Sequence, residues 1–282
     1  MNDPRKSLGE RGLRPKKSFG QNFLTSEETS SFIADACVPA AEQGQARVLE
    51  LGAGTGALTA PLLERAEHVV AVERDRDLLP VLAERFASHV HAGKLTLVEG
   101  DAKTADIVEL LGAGSDGRRV LSGNLPYQLT GPLLVRAVEQ ARVISRAVFL
   151  LQEEVVERLE APPDTKIYGA LTVFVSAAFQ VKRLRTVGRN CFFPPPEVTS
   201  AIVMLTPHAT PRAEETPLFR SLVKGAFEQR RKTLRNAWSR LGTSEEIARA
   251  AVDAAVDLDA RGETLDVEAF ARMAAKLAQL RA

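Results

Sequence analysis

The sequence predicts an α/β protein, a parallel sheet with crossover helices followed by a small all-α C-terminal domain. Three observations predict it. Between residues 47 and 151, short buried-strand patterns alternate with helical stretches of about 10–15 residues. The loop Pro207–Pro217 then carries three prolines and mixed charge. Beyond it, three or four amphipathic helical patterns follow with no strand signal.

Each element has its own warrant. Arg47–Leu51 is a short apolar run ending at a glycine turn, and Leu58, Leu62, Leu63 and Ala66 mark the helix after it. Val69–Val72 is a second strand ending at Glu73. Leu78, Leu79, Leu82 and Phe86 then keep helical spacing, with Pro80 early enough in that helix to be tolerated. Leu95–Val98 is the third strand, leading to Glu99-Gly100-Asp101, and Ile107–Leu111 is a short helix. Arg119–Leu121 is the fourth strand and runs into Asn124-Leu125-Pro126-Tyr127, after which Gly131-Pro132 opens a helix. Ala147–Leu151 is the fifth strand. Leu171–Phe179 suits a buried helix or a buried strand equally. Phe193-Pro194-Pro195-Pro196 excludes regular structure, and Ser200–Leu205 reads as a last strand. Gly242-Thr243-Ser244-Glu245-Glu246 is a break followed by an N-cap. The expected domains are therefore 1–207, with 1–20 as a basic flexible arm, and 208–282.

Composition narrows the function. Hydrophobic residues are 45% and charged residues 26%, ordinary for a folded soluble chain, and no apolar run approaches the ~18 residues of a membrane helix. No apolar core follows the charges of the N-terminus, as a signal peptide would require. Two cysteines, Cys37 and Cys191, exclude a disulfide scaffold and a multi-cysteine zinc site and fit a reducing cytosol. The four histidines have no metal-like spacing, so no metal is expected. Net charge is only +1, but its distribution is uneven. Residues 1–20 hold six cations against two acids, and residues 220–240 hold seven against one. Lys182, Arg183, Arg185 and Arg189 form a third cluster, and the tail beyond 240 is acidic. Such patches are either solvated faces or one surface for a polyanion.

Chemistry concentrates at strand ends. Gly52-Ala53-Gly54-Thr55-Gly56 lets backbone approach a ligand, and Glu73, 21 residues after Gly52, is placed to bind ribose hydroxyls. Both features suit a nicotinamide cofactor or S-adenosylmethionine (AdoMet) equally. Asp101 could accept a hydrogen bond from an adenine amino group. Asn124-Leu125-Pro126-Tyr127 is sharper, because an Asn oxygen and a Pro carbonyl can together accept both protons of an exocyclic amine while Tyr127 stacks on the base. The nicotinamide reading gives these four residues no role.

Asn124–Tyr127 resembles the [DN]-P-P-[YF] signature of amino-methyltransferases in the form used by bacterial rRNA adenine N6,N6-dimethyltransferases. Other segments resemble that family too: Lys17–Leu24, Phe149–Val155, Phe192–Ser200 (F-x-P-x-P-x-V-x-S) and Phe227–Asn236. The resemblance implies a Rossmann-like AdoMet-dependent methyltransferase domain with a helical rRNA-recognition domain behind it. It implies AdoMet contacts at Gln21, Asn22, Leu24, Gly52, Gly54, Gly56, Glu73, Asp101, Ala102 and Asn124. Its catalytic set falls on Asn124, Leu125, Pro126, Tyr127 and the base-stacking Phe192, with the neighbouring Phe193 a second candidate. The implied reaction is dimethylation of N6 on two adjacent adenosines in the 3′-terminal hairpin loop of 16S rRNA, within the small ribosomal subunit. Arg14, Lys16, Lys17, Lys182, Arg183, Arg185, Arg230, Arg231, Lys232 and Arg235 are the cations expected on rRNA phosphates. On a helix the last four cannot all share one face, so some should pair with acids of the tail. A cytoplasmic monomer is expected. The rival readings are an erythromycin-resistance-type enzyme acting on 23S rRNA and a non-catalytic ribosome-assembly factor of the same fold.

Overall fold

The computed structural model describes residues 3–112, 118–126 and 129–281. Residues Pro4–Gly9 form a short helix, α1, and Phe23–Leu24 form β1. Leu8 of α1 is 2% exposed and packs with Phe23 and Leu78, with Leu13 and Phe193 against them. The segment expected as a flexible arm thus has an apolar anchor of its own.

The helix α2 (Glu27–Cys37) starts at Ser26, whose side chain accepts from the Thr29 amide, and buries Ile33, Ala34 and Cys37. Five β/α steps follow: β2 (Ala46–Leu51), α3 (Thr59–Arg65), β3 (His68–Glu73), α4 (Leu79–Arg85), α5 (Ala87–His91), β4 (Leu95–Glu99), α6 (Ile107–Leu111), β5 (Arg118–Asn124), α7 (Thr130–Glu139), β6 (Arg146–Gln152). The helix expected after Glu73 is α4, and a further short helix, α5, follows it from Ala87. The chain continues through α8 (Glu153–Glu160), α9 (Ala170–Ala178), β7 (Phe179–Val187), β8 (Phe192–Phe193) and β9 (Ser200–Pro207).

One seven-stranded sheet has the order β4-β3-β2-β5-β6-β9-β7, and β1 pairs with β8 separately. Strands β2 to β6 pair in parallel, while β9 runs antiparallel to β6 with Phe149 opposite Val203. Strand order reverses beside β2, whose neighbours are β3 and β5, so a crevice opens at the carboxyl ends of these strands. The undecided run 171–179 is helix to Ala178 and strand from Phe179. β7 lies at the edge of the sheet. Its Lys182, Arg183 and Arg185 are the kind of charges that keep an exposed edge from pairing with another chain.

The chain separates into two compact units, 1–156 with 182–206, and 157–181 with 207–282. The second unit holds α9 and four further helices: α10 (Pro217–Glu228), α11 (Leu234–Ala237), α12 (Ser244–Ala254) and α13 (Val267–Gln279). Its core is built around fully buried Trp238, whose indole N–H donates to the Leu222 carbonyl at 2.8 Å, and Phe270, 6.4 Å away in an edge-on pair. Thr243 and Glu246 form a reciprocal capping box at the start of α12. No helix among the described residues is long and apolar enough to cross a membrane.

Candidate active site

The cavity at the carboxyl ends of β2 to β5 is lined by Leu51, Gly52 and Gly54 after β2, Val72 to Arg74 at the end of β3, Gly100 to Lys103 after β4, and Asn124 to Pro126 at the end of β5. Residues 18–23 close one side of it. Of the expected site residues, Gln21, Asn22, Gly52, Gly54, Glu73, Asp101, Ala102, Asn124, Leu125 and Pro126 all line this one space. Tyr127 lies outside the described residues.

Its floor is backbone. Gly52 has φ +80°, and a Cβ there would meet nothing closer than the Asn124 carbonyl at 3.9 Å, so the glycine bends the chain and leaves the space above it open. The Gly54 amide donates to Glu73 Oε2 at 2.7 Å, and the Asp75 amide to Oε1 at 2.8 Å. Burial raises the pKa of the Glu73 carboxyl, and these amides oppose that shift. A carboxylate offers about four lone-pair sites, so two amide bonds leave room for ribose hydroxyls. Asp101 accepts from the Lys103 amide at 3.0 Å and pairs with Arg74 at 3.3 Å.

The pair expected to bind an amine, Asn124 and Pro126, is hydrogen-bonded to its surroundings. Asn124 Nδ2 donates to the Asn22 carbonyl at 2.8 Å, which commits the amide nitrogen and leaves Oδ1 as the acceptor. The Pro126 carbonyl accepts from the Leu129 amide at 2.8 Å. A carbonyl oxygen has two lone pairs, so one remains. The approach of β5 to β2 depends on Gly123, where a Cβ would lie 2.5 Å from the Leu51 carbonyl oxygen. Nothing in the local sequence pattern around Gly123 marks this close approach.

The segment 16–22 is latched over the site by Asp75, which is 3% exposed. Its carboxylate accepts from Lys16 Nζ at 2.5 Å and from Gln21 Nε2 at 2.8 Å. Burial would raise its pKa, but these bonds outweigh burial and hold it below the usual carboxylate range. Phe19 is flanked by Lys16, 5.5 Å from the ring centroid, and Arg74, at 5.1 Å. Phe19 lies in the segment Lys17–Leu24 that carries the resemblance, whereas Arg74 and Asp75 belong to no motif of the sequence. The signal for Arg74 and Asp75 was their place directly after a strand-end acid.

Three expected residues lie elsewhere. Leu24 is 3% exposed and belongs to the main core cluster. Gly56 does not line the cavity; its φ of +81° and the Phe86 ring, 2.5 Å from where a Cβ would stand, explain the glycine as packing. Phe192 is 3% exposed in the same core cluster and is held in register with Leu24. Its ring therefore serves the core, and half-buried Phe193 is the phenylalanine that lines a cleft.

The expected RNA-facing cations divide in two. Lys16 is held by Asp75 and Asp77, Arg183 by Glu153 and Arg185 by Glu28. The helix α10 ends at Glu228, so the presumed helical run 230–235 is broken. Arg230 pairs with Glu263 at 3.0 Å and Arg235 with Asp259 at 3.3 Å, both acids of the tail as expected. Arg14, Lys17, Lys182, Arg231 and Lys232 are exposed.

A glycine floor and two strand-end carboxylates fit the adenosine portion of AdoMet. Comparisons with known proteins agree. The sequence profile of the ribosomal RNA adenine dimethylase family matches residues 12–279. The chain is 42% identical over 285 residues to ribosomal RNA small subunit methyltransferase A of Myxococcus xanthus, covering 99% of this chain and 97% of that protein. It is 42% identical over 269 residues to the protein of the same name from Pseudomonas aeruginosa, covering 95% and 96%. Among solved structures, a dimethyladenosine transferase from Plasmodium falciparum superposes with TM-score 0.71 at 23% identity, covering 89% of this chain and 95% of that one. The 23S rRNA methyltransferase ErmE superposes with TM-score 0.64 at 26% identity, covering 92% and 100%.

Proposed function

The chain belongs to the ribosomal RNA adenine dimethylase family, and on that premise we propose that it transfers methyl groups from AdoMet to N6 of two adjacent adenosines in the 3′-terminal hairpin loop of small-subunit rRNA. The observation that carries this reading is Asn124 Oδ1, left as an acceptor in the cavity that Pro126, Glu73 and Asp101 also line. The small-subunit name of relatives at 42% identity favours this substrate over 23S rRNA.

AdoMet, when bound, supplies a methyl on a sulfonium, an electrophile that needs no metal. The chain's own residues do the rest. Glu73 takes the ribose hydroxyls and Asp101 the adenine amine. In the first transfer Asn124 Oδ1 and the second lone pair of the Pro126 carbonyl accept the two protons of the target N6, and in the second the one proton left is shared with them, so the lone pair is aimed and the positive charge that develops on nitrogen is stabilised. Orientation of the amine lowers the barrier further, because a delocalised aniline-like nitrogen is a poor nucleophile until held in line. No general base is required, since the alkylated ammonium loses its proton readily. Tyr127 stacks on the extruded base. The enzyme acts as a cytoplasmic monomer.

Asn124→Ala tests the reading. With unmethylated small subunits and labelled AdoMet, the variant is expected to lose roughly 10²–10³-fold in kcat, the usual effect of deleting one preorganised contact to developing charge. Near-normal turnover would overturn the assignment.

A further inference from the structure

Beside the methyl-transfer cavity lies a second cleft of about 440 Å³, and Gln21 lines both. That volume is within the range of small-molecule sites. Its inner surface is Leu8, Leu13 and Phe193, and its rim carries Arg5, Arg14 and Lys17. No carboxylate is among its lining residues. The exposed Arg5 guanidinium sits over the Phe193 ring, 5.5 Å from its centroid. Phe193 pairs with Phe23 across β1 and β8, and Phe23 lines the first cavity, so the ring is tied to the reaction site through one short ladder.

We propose that this cleft is a subsite for one unstacked nucleotide of the substrate RNA adjoining the target adenosine. It rests on the reading under Proposed function. The base stacks on Phe193 with Arg5 displaced outward onto its other face, and Arg14 and Lys17 hold the flanking phosphates. An aromatic ring, a guanidinium plane and a cationic rim are the groups that grip splayed single-stranded bases. The apolar floor suits a base face, and the cationic rim suits the sugar–phosphate that leads out of it. The shared Gln21 wall places this nucleotide next to the one being methylated. The subsite also gives a family of exposed cations near the N-terminus a specific task in place of general attraction.

The test uses the full chain with AdoMet present. Its affinity is measured for a single-stranded oligoribonucleotide of four adenosines and for adenosine monophosphate, alongside KM for unmethylated small subunits. Phe193→Leu keeps an apolar side chain against Leu8 and Phe23 but removes the ring. It is expected to weaken tetramer binding and raise the subunit KM roughly tenfold, with the mononucleotide and AdoMet affinities unchanged. Phe193→Trp should restore both. Arg14→Ala/Lys17→Ala should weaken tetramer binding and flatten its salt dependence. Wild-type tetramer affinity and subunit KM in both Phe193→Leu and Arg14→Ala/Lys17→Ala would overturn the subsite. A wild-type chain that methylates no subunit, yet binds the tetramer in a Phe193-dependent way, would leave the subsite standing and remove the functional reading instead.

Discussion

Glu50 lies two residues before the glycine loop, 1% exposed, with its carboxylate accepting from the Thr59 hydroxyl at 2.6 Å. Burial pushes its pKa from 4.5 up to about 7, and the Thr59 hydrogen bond opposes part of that shift. The unfolded chain ionises this group near pH 4.5 and the folded chain only near 7, so between those values the folded state binds more protons. Its contribution to stability is therefore full below about pH 4.5 and declines until about pH 7. Glu50→Gln removes the decline. Relative to wild type, the variant should gain on the order of 3 kcal/mol across that window, read from urea unfolding at a series of pH values. Parallel pH profiles would contradict it. Single residues were legible in sequence where chemistry alone marks them. Glu73, Asp101 and Asn124 stand at strand ends and were found there. The resemblance places Leu24 and Phe192 at the ligand, whereas both side chains lie in the core through the β1–β8 pairing, which links residues far apart in the chain. Gly123 and Asp75 escaped because their work is toward Leu51 and Lys16, which only the fold brings near.

At the scale of elements, the segment 16–22 is the part most dependent on a few bonds. Lys16 and Gln21 both reach Asp75, and Asn22 carries the carbonyl that orients Asn124. Asp75→Asn keeps the shape but removes the charge that holds Lys16. Charge-assisted bonds to a buried carboxylate are the strong class, so AdoMet affinity should fall roughly tenfold, measured by calorimetry. An unchanged dissociation constant would show that the latch is not needed for cofactor retention. The five parallel strands were legible because each is a short apolar run followed by a helical period. The run 171–179 was not, because it changes from helix to strand at Phe179 without any change in hydropathy. β7 is hidden for a different reason: its charged residues read as a basic cluster, whereas an edge strand is where charges belong.

For the whole molecule, the even charge balance conceals which cations are available to a polyanion. Arg230 is committed to Glu263 and also donates to the carbonyls of Lys166 and Tyr168, so it braces the second unit. Arg231 and Lys232 are exposed, and no carboxylate is seen paired with them among the described residues. Arg231→Ala/Lys232→Ala should therefore weaken subunit binding and reduce the slope of log K against log salt by about 1–2, one for each lost phosphate contact. Unchanged binding at every salt concentration would remove these two from the interface. The most direct test of the account is the identity of the product. The protein is incubated with labelled AdoMet and unmethylated small subunits, with large subunits and free rRNA in parallel, and the labelled nucleoside is identified. The expected result is N6,N6-dimethyladenosine confined to small-subunit rRNA. Label on large-subunit rRNA, or no label on any substrate while AdoMet still binds, would contradict it.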